Sequence, residues 1–554
     1  MKKIITLFLV FSLVSMSYAQ DVYKFAVHLT DKDHTPFNIE NPSAFLSQRS
    51  IDRRAKYHID YNEADLPIDP VYIQDVLNAT ENANLIIQVK WMNTIIISLH
   101  DSANIELINK IPIVESTECV FNPNLKSRGI QKFEKNFSIE DAAEVLKSAM
   151  DYDSAYYGGG WIQIHQMMGE KLHQQAYTGQ GMVIAVLDAG FINADSLQIF
   201  DRLWDNGQIL GTANFVEPDS TVFANHTHGT MVLSTMGGYW EENLVGTAPD
   251  ASYWLLRTED GATENIIEEY NWVAGAAFAD SVGADVLNTS LGYIDFDDSS
   301  YDHTYDDLDG NTTVITRGAN MAFARGMLAV NSAGNSGNSS WRYLGAPADA
   351  YGVFSVGAVD ADGLIAGFSS HGFPWSNDVK PNVVARGAGA FVASPYSNSV
   401  VQGNGTSFSS PIMAGMVTSL WSSNPAVSPA AVKRAIQQSA DRFLTPDTLY
   451  GYGMPNFQQA LSVLAVEEQS HSQDAMLSIY PNPTSSLLNI FLNTIDNSEL
   501  YIKIYNMQSV LVVERKIAIQ GDRALLNVSS LASGIYIVEI QQDDHVYQTK
   551  LNKI

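Results

Sequence analysis

Four short runs dominated by apolar residues constrain this chain most: Val183 to Leu187, Val286 to Leu291, Met327 to Asn331 and Val353 to Val359. A strand with one wet face alternates apolar and polar residues, whereas runs like these are buried on both sides. Helical spacing occupies the stretches around them, at Glu264 to Ser281, Ile315 to Ala324 and Ala430 to Ala440. Ser428-Pro429 precedes the last of these as an N-cap and first-turn pair. Such alternation implies an α/β domain, a mainly parallel sheet covered by helices on both faces in three layers. Ligands of such sheets bind at the C-terminal strand ends, and Asp188 and Asn335 lie at two of them.

One segment carries a nucleophile. Gly403 to Gly415, GNGTSFSSPIMAG, sets Ser407 in a Gly-Thr-Ser turn. Pro411 reads as the opening of a helix through Ile412 to Trp421, because proline is tolerated in a first helical turn. Ser407 is then expected at a helix N-terminus, where free N–H groups suit a developing oxyanion. A serine hydroxyl still needs a base. Asn225 to Gly238, NHTHGTMVLSTMGG, offers His228 before Gly229, and Asp188 could hold its imidazole in one tautomer. His226 is the competing base, and lacking a following Gly-Thr it reads as supporting structure.

Asp188 in VLDAG, His228 in HGTMV and Ser407 in GTSFSSP, in that chain order, resemble the three active-site motifs of the subtilisin-like serine proteases. NTSLG (Asn288 to Gly292), NSAGNSG (Asn331 to Gly337), FSSHG (Phe368 to Gly372) and KPNVVARG (Lys380 to Gly387) extend the resemblance over about residues 155–465. The resemblance implies a secreted serine endopeptidase with a subtilisin-like fold. It makes Asp188 the orienting carboxylate, His228 the acid/base and Ser407 the nucleophile. Asn335 and the Ser407 N–H would form the oxyanion hole, and Ser290, Leu291 and Gly292 would pair with extended substrate. Ala189, Ser409 and Arg386 depart from common family residues, which bears on specificity more than on activity. No cofactor is required, and the family allows structural calcium. No His/Cys/Glu set has catalytic zinc spacing. The alternative from another class is a catalytically silent surface binding protein that keeps the fold. An α/β-hydrolase esterase would need a Gly-x-Ser-x-Gly elbow, which Ser407 lacks.

The 554 residues exceed one ordinary domain. A net charge of -29 argues against nucleic acid or an anionic membrane as partner. The single cysteine, Cys119, excludes an intramolecular disulfide. Residues 1–19, with Lys2 and Lys3 before Ile4 to Val14 and a Ser17-Tyr18-Ala19 end, read as a signal peptide rather than a membrane anchor. Residues 20–154 hold strand-like Tyr23 to Leu29 and Trp91 to Leu99 and helix-like Ser43 to Lys56 and Ile139 to Met150. Their position before the peptidase-like region implies an α+β propeptide, the alternative being a permanent accessory domain. Tyr156 to Gly160 reads as a flexible junction.

The loop Tyr293 to Gly310 carries seven aspartates, from Asp295 to Asp309, and is expected to be a solvated insertion rather than a calcium site. It would disfavour acidic substrates. Residues 466–475 read as a linker. In 476–554, short β-type runs between turns imply an all-β sandwich. Tyr480 to Thr484 (YPNPT), Leu531 to Tyr536 (LASGIY) and the terminal Lys550 to Ile554 resemble the sorting domain of type IX secretion in Bacteroidetes. Secretion machinery is then a partner beside protein or peptide substrates, and carbohydrate or partner binding is the alternative for this sandwich.

Overall fold

The computed structural model describes residues 22–130, 152–376, 378–470 and, with short gaps, 477–553. The signal-type segment and the helix expected at Ile139 to Met150 lie outside the described residues.

The N-terminal unit is α+β. Strands β1 (Tyr23–Leu29), β2 (Asn84–Val89), β3 (Thr94–Leu99) and β4 (Val114–Phe121) form an antiparallel sheet in the order β2-β3-β1-β4. Helices α1 (Gln48–Tyr57) and α2 (Pro70–Asn78) accompany it. The strand expected from Trp91 starts only at Thr94, because Lys90–Met92 is a 3-10 turn and Asn93 takes a left-handed φ of 48°. The helix expected from Ser43 starts only at Gln48, where the Ser47 side chain accepts from Ser50 N–H and caps it.

The central unit is the expected parallel sheet. Its strands are β5 (Val183–Asp188), β6 (Ile209–Asn214), β7 (Ser252–Arg257), β8 (Val286–Thr289), β9 (Leu328–Ser332), β10 (Val353–Val359) and β11 (Val383–Arg386). Their order is β11-β10-β9-β8-β5-β7-β6, with every neighbouring pair parallel. Alternate residues face opposite layers. Ile184, Val186, Val286 and Val330 pack under α3 (His228–Gly237), while Ala185, Leu187, Leu287 and Ala329 pack under α4 (Ile267–Val282) and α5 (Val314–Ala324). Helices α6 (Thr406–Ser423) and α7 (Pro429–Gln438) share the α3 side.

Helix α4 is buried nearly all round, which requires cover on both of its sides. The N-terminal sheet supplies the second cover, with Ala26, Trp91, Ile96 and Val120 in one core with Tyr270, Val273 and Ala277. A buried charge network locks this contact. Arg53 and Arg54 of α1 both bond Asp280 of α4, Arg54 also bonds Asp65 at 3.1 Å, and Arg325 bonds Asp65 at 2.7 Å.

Two expectations need correction. Tyr156 to Gly160 is packed rather than a flexible junction: Tyr157 is buried and Gly159 N–H donates to Asn243 O at 2.8 Å. The linker at 466–475 is shortened by α8 (Phe457–Ser470), since Glu and Gln are good helix formers despite their polarity. Beyond it, two antiparallel sheets enclose one core that includes Leu488 and Ile490 from one and Ile502, Val538 and Ile540 from the other. This is the expected sandwich.

Candidate active site

Strand β5 delivers Asp188 to its C-terminal end, where the carboxylate is fully buried and Oδ1 accepts from the Ala189 N–H at 2.8 Å. Helix α3 starts at His228, whose Nδ1 lies 2.9 Å from both Asp188 oxygens. A carboxylate accepts only, so Nδ1 carries the proton and Nε2 of the neutral ring is left as an acceptor. The start of α3 is pressed against the turn after β5. Gly229 N–H donates to Gly190 O at 3.0 Å, and a Cβ on Gly229 would stand 2.5 Å from that oxygen. His226 takes the supporting place expected of it, its Nδ1 accepting from the His228 N–H at 3.1 Å.

Ser407 stands at the first turn of α6. The helix begins at Thr406, so Pro411 sits inside it rather than opening it. Proline there leaves the carbonyl of Ser407 without its i+4 donor. The Ser290 hydroxyl replaces it, donating to Ser407 O at 2.9 Å. Ser407 Oγ in turn donates to Ser290 O at 3.3 Å. The imidazole of His228 lies beside this turn, its ring 6.3 Å from that of Phe408.

Asn335 follows β9 across Gly334, whose φ of 100° only glycine adopts readily. Its amide oxygen accepts from Thr406 N–H at 2.9 Å and from Thr406 Oγ1 at 2.8 Å. Fixing the oxygen this way presents Nδ2 as the donor. Ser290, Leu291 and Gly292 continue from β8 outside the strand proper, with Leu291 O held by Asn331 Nδ2 at 3.2 Å and Gly292 exposed. The structure thus joins Asp188 to His228, sets His228 beside the turn of Ser407, and ties that turn to Ser290 and Asn335. It adds Thr406 and the Ser290 hydroxyl as the groups that orient Asn335 and Ser407. Their motifs, GTS and NTSLG, were visible, but hydrogen bonds across 71 and 117 residues were not.

The acidic loop uses its carboxylates as local caps: Asp302 accepts from Phe296 N–H, Asp307 from Thr304 N–H and Asp309 from Thr312 N–H. A different group, Glu259, Glu264 and Glu268, is the one with metal-holding proximity among the described residues. All three are buried, with ligand oxygens within 4.8 Å of one another, and Glu259 accepts from the Tyr293 hydroxyl. Oxygen donors of this kind suit a hard cation such as calcium. The sequence pattern hides them because they are spread over a loop and the start of α4.

Comparison with known proteins decides the family. Residues 179–453 match the Subtilase family. The chain carries a subtilase peptidase domain. Residues 24–136 of this subtilase match the peptidase S8 propeptide domain of Bacteroidota, and residues 478–553 match a secretion system C-terminal sorting domain. Subtilisin DY of Bacillus licheniformis is 28% identical over 293 residues, covering 52% of this chain and 94% of that protein. A thermostable alkaline protease of Halalkalibacterium halodurans is 26% identical, covering 64% and 86%. Subtilisin E of Bacillus subtilis is 27% identical, covering 61% and 79%. The subtilase is therefore a serine endopeptidase made with a propeptide, and its type IX sorting domain sends it across the outer membrane to the cell surface or beyond. Among the described residues no helix is long and apolar enough to cross a membrane.

Proposed function

We propose that this subtilase hydrolyses peptide bonds through Asp188, His228 and Ser407 by way of an acyl-enzyme. The contact of His228 Nδ1 with both Asp188 oxygens carries the reading, because it leaves Nε2 as the acceptor a serine nucleophile requires. The Ser407 hydroxyl turns from the Ser290 carbonyl to Nε2, loses its proton there and attacks the scissile carbonyl. His228 then passes that proton to the leaving amine, and water repeats the cycle on the ester. Asp188 holds the ring and stabilises its charged form. Asn335 Nδ2 and the Ser407 N–H bind the oxyanion, which develops only after attack. Ser290, Leu291 and Gly292 pair with the extended substrate backbone, as in strand addition.

No step needs a cofactor, and any calcium held by Glu259, Glu264 and Glu268 would be structural. A fluorophosphonate probe tests the mechanism. It should label Ser407 in the matured enzyme and fail on Ser407→Ala, and casein hydrolysis should vanish with it while surviving a zinc chelator. Absence of labelling and of hydrolysis would leave the binding-protein alternative.

A further inference from the structure

Arg128 belongs to the propeptide match yet lies against the peptidase domain. It sits in the stretch that leaves β4, residues 122–130. Its backbone N–H donates to Asp297 Oδ1 at 2.6 Å. Its Nη1 donates to Phe296 O at 2.7 Å and reaches both oxygens of Asp302 at 2.7 Å. The receiving groups are held in place from their own side. Asp302 Oδ1 accepts from Phe296 N–H at 2.7 Å, and Asp297 Oδ2 accepts from Glu264 N–H at 3.0 Å. One carboxylate thus takes the main chain of the visitor and the other takes its guanidinium. Asp302, with Asp295 and Asp297 around it, holds the Arg128 guanidinium above its ordinary pKa. The loop is also the direct continuation of Ser290 to Gly292.

We propose that Phe296, Asp297 and Asp302 form an arginine subsite, filled by Arg128 in the precursor and by an arginine of an extended peptide substrate once the propeptide leaves. This deepens the proposed function and rests on that reading for the second occupant. The acidic loop, on this account, selects basic peptides rather than only repelling acidic ones. The contact is half-exposed, with the side chains of Arg128 and Asp302 at 42% and 26%, so its strength comes from paired donors and a fixed backbone contact rather than from burial.

Internally quenched peptides test it, with one arginine walked along an otherwise neutral sequence and glutamine at the same place as control. In the matured enzyme one position should favour arginine by about 3–10-fold in kcat/KM, mainly through KM. Asp302→Asn keeps an acceptor for Phe296 N–H and should abolish that preference. Equal turnover of arginine and glutamine peptides at every position, or a preference untouched by Asp302→Asn, would overturn the subsite but not the protease. Loss of all peptide hydrolysis in the parent enzyme would instead strike the protease reading. A second arm is independent of activity. In the full-length Ser407→Ala precursor, trypsin should cut after Arg128 several-fold faster when Asp302 is Asn, and an unchanged rate would argue against the docked arginine.

Discussion

At Asn335 a single side chain separates binding from catalysis. On the proposed mechanism, replacing it with leucine removes one oxyanion donor, along with the acceptor of Thr406 N–H and Oγ1, and leaves the His228–Asp188 contact untouched. We predict that Asn335→Leu lowers kcat by roughly 10²–10³ with KM nearly unchanged, the magnitude being that of the equivalent loss in subtilisin, a relative. Full kcat in folded Asn335→Leu enzyme would remove Asn335 from the oxyanion hole. Two buried groups push the pH response of the same domain in opposite directions. Burial pulls His173 down to about 4, while Tyr157 and Thr247 O hold its neutral ring. The unfolded chain takes that proton near the ordinary 6.5, so between pH 6.5 and 4 it binds more protons and stability falls as pH falls. Burial pushes Asp349 up to about 6, which works oppositely: the folded state keeps a proton that the unfolded chain releases near 4. The two slopes oppose each other between about pH 4 and 6. Asp349→Asn should therefore steepen the acid-side loss, seen as a thermal midpoint that drops several degrees further between about pH 6 and 4.5 than in the parent, both in the Ser407→Ala background. An unchanged pH slope would refute it.

Helix α6 shows how an element and a site depend on each other. Pro411 denies Ser407 O its helical donor, and the Ser290 hydroxyl substitutes for it. Ser290→Ala should then lower kcat several-fold by loosening the nucleophile's turn. Pro411→Ala, which restores an N–H at i+4, should rescue most of that loss in the double variant. Additive losses would mean that the carbonyl's partner does not matter. Pro411 also marks where the sequence misleads. Proline is most often read as a first-turn residue, and nothing local reveals a hydroxyl from 117 residues away that lets it sit deeper. Asp188, His228, Asn335 and Ser407 were legible because each lies at the end of a strand or the start of a helix whose apolar run announces it. Trp91 was misplaced because Trp91 and Met92, in the 3-10 turn, look as apolar as the strand they precede. The polar residues Glu467 to Ser470 extend a helix that polarity alone assigns to a linker. Glu259, Glu264 and Glu268 were invisible because their common neighbourhood is made by tertiary packing.

The whole molecule is a precursor whose parts meet through different kinds of contact. The sorting sandwich closes its own core, so deletion of residues 476–554 should leave the matured peptidase's kcat unchanged while stranding the enzyme in the periplasm of a host with type IX secretion. Normal release of the truncated enzyme would sink that expectation. The propeptide contact differs, since it buries charge from both partners. Asp280 of α4 pairs with Arg53 and Arg54, whereas Asp65 pairs with Arg54 and Arg325. Removing Arg54 still leaves each carboxylate one arginine, but removing Asp280 strips both Arg53 and Arg54 of a shared partner. Breaking a buried pair on one side costs about 3–5 kcal/mol, because the remaining charge stays desolvated. Asp280→Leu should therefore reduce the yield of active enzyme from the full-length precursor far more than Arg54→Met. Once matured, either variant should match the parent in specific activity, since Asp280 lies on α4, on the sheet face opposite His228 and Ser407. Equal yields for the two variants would show that the network does not guide docking. A drop in specific activity of the matured Asp280→Leu enzyme would show instead that the charge serves the peptidase fold itself.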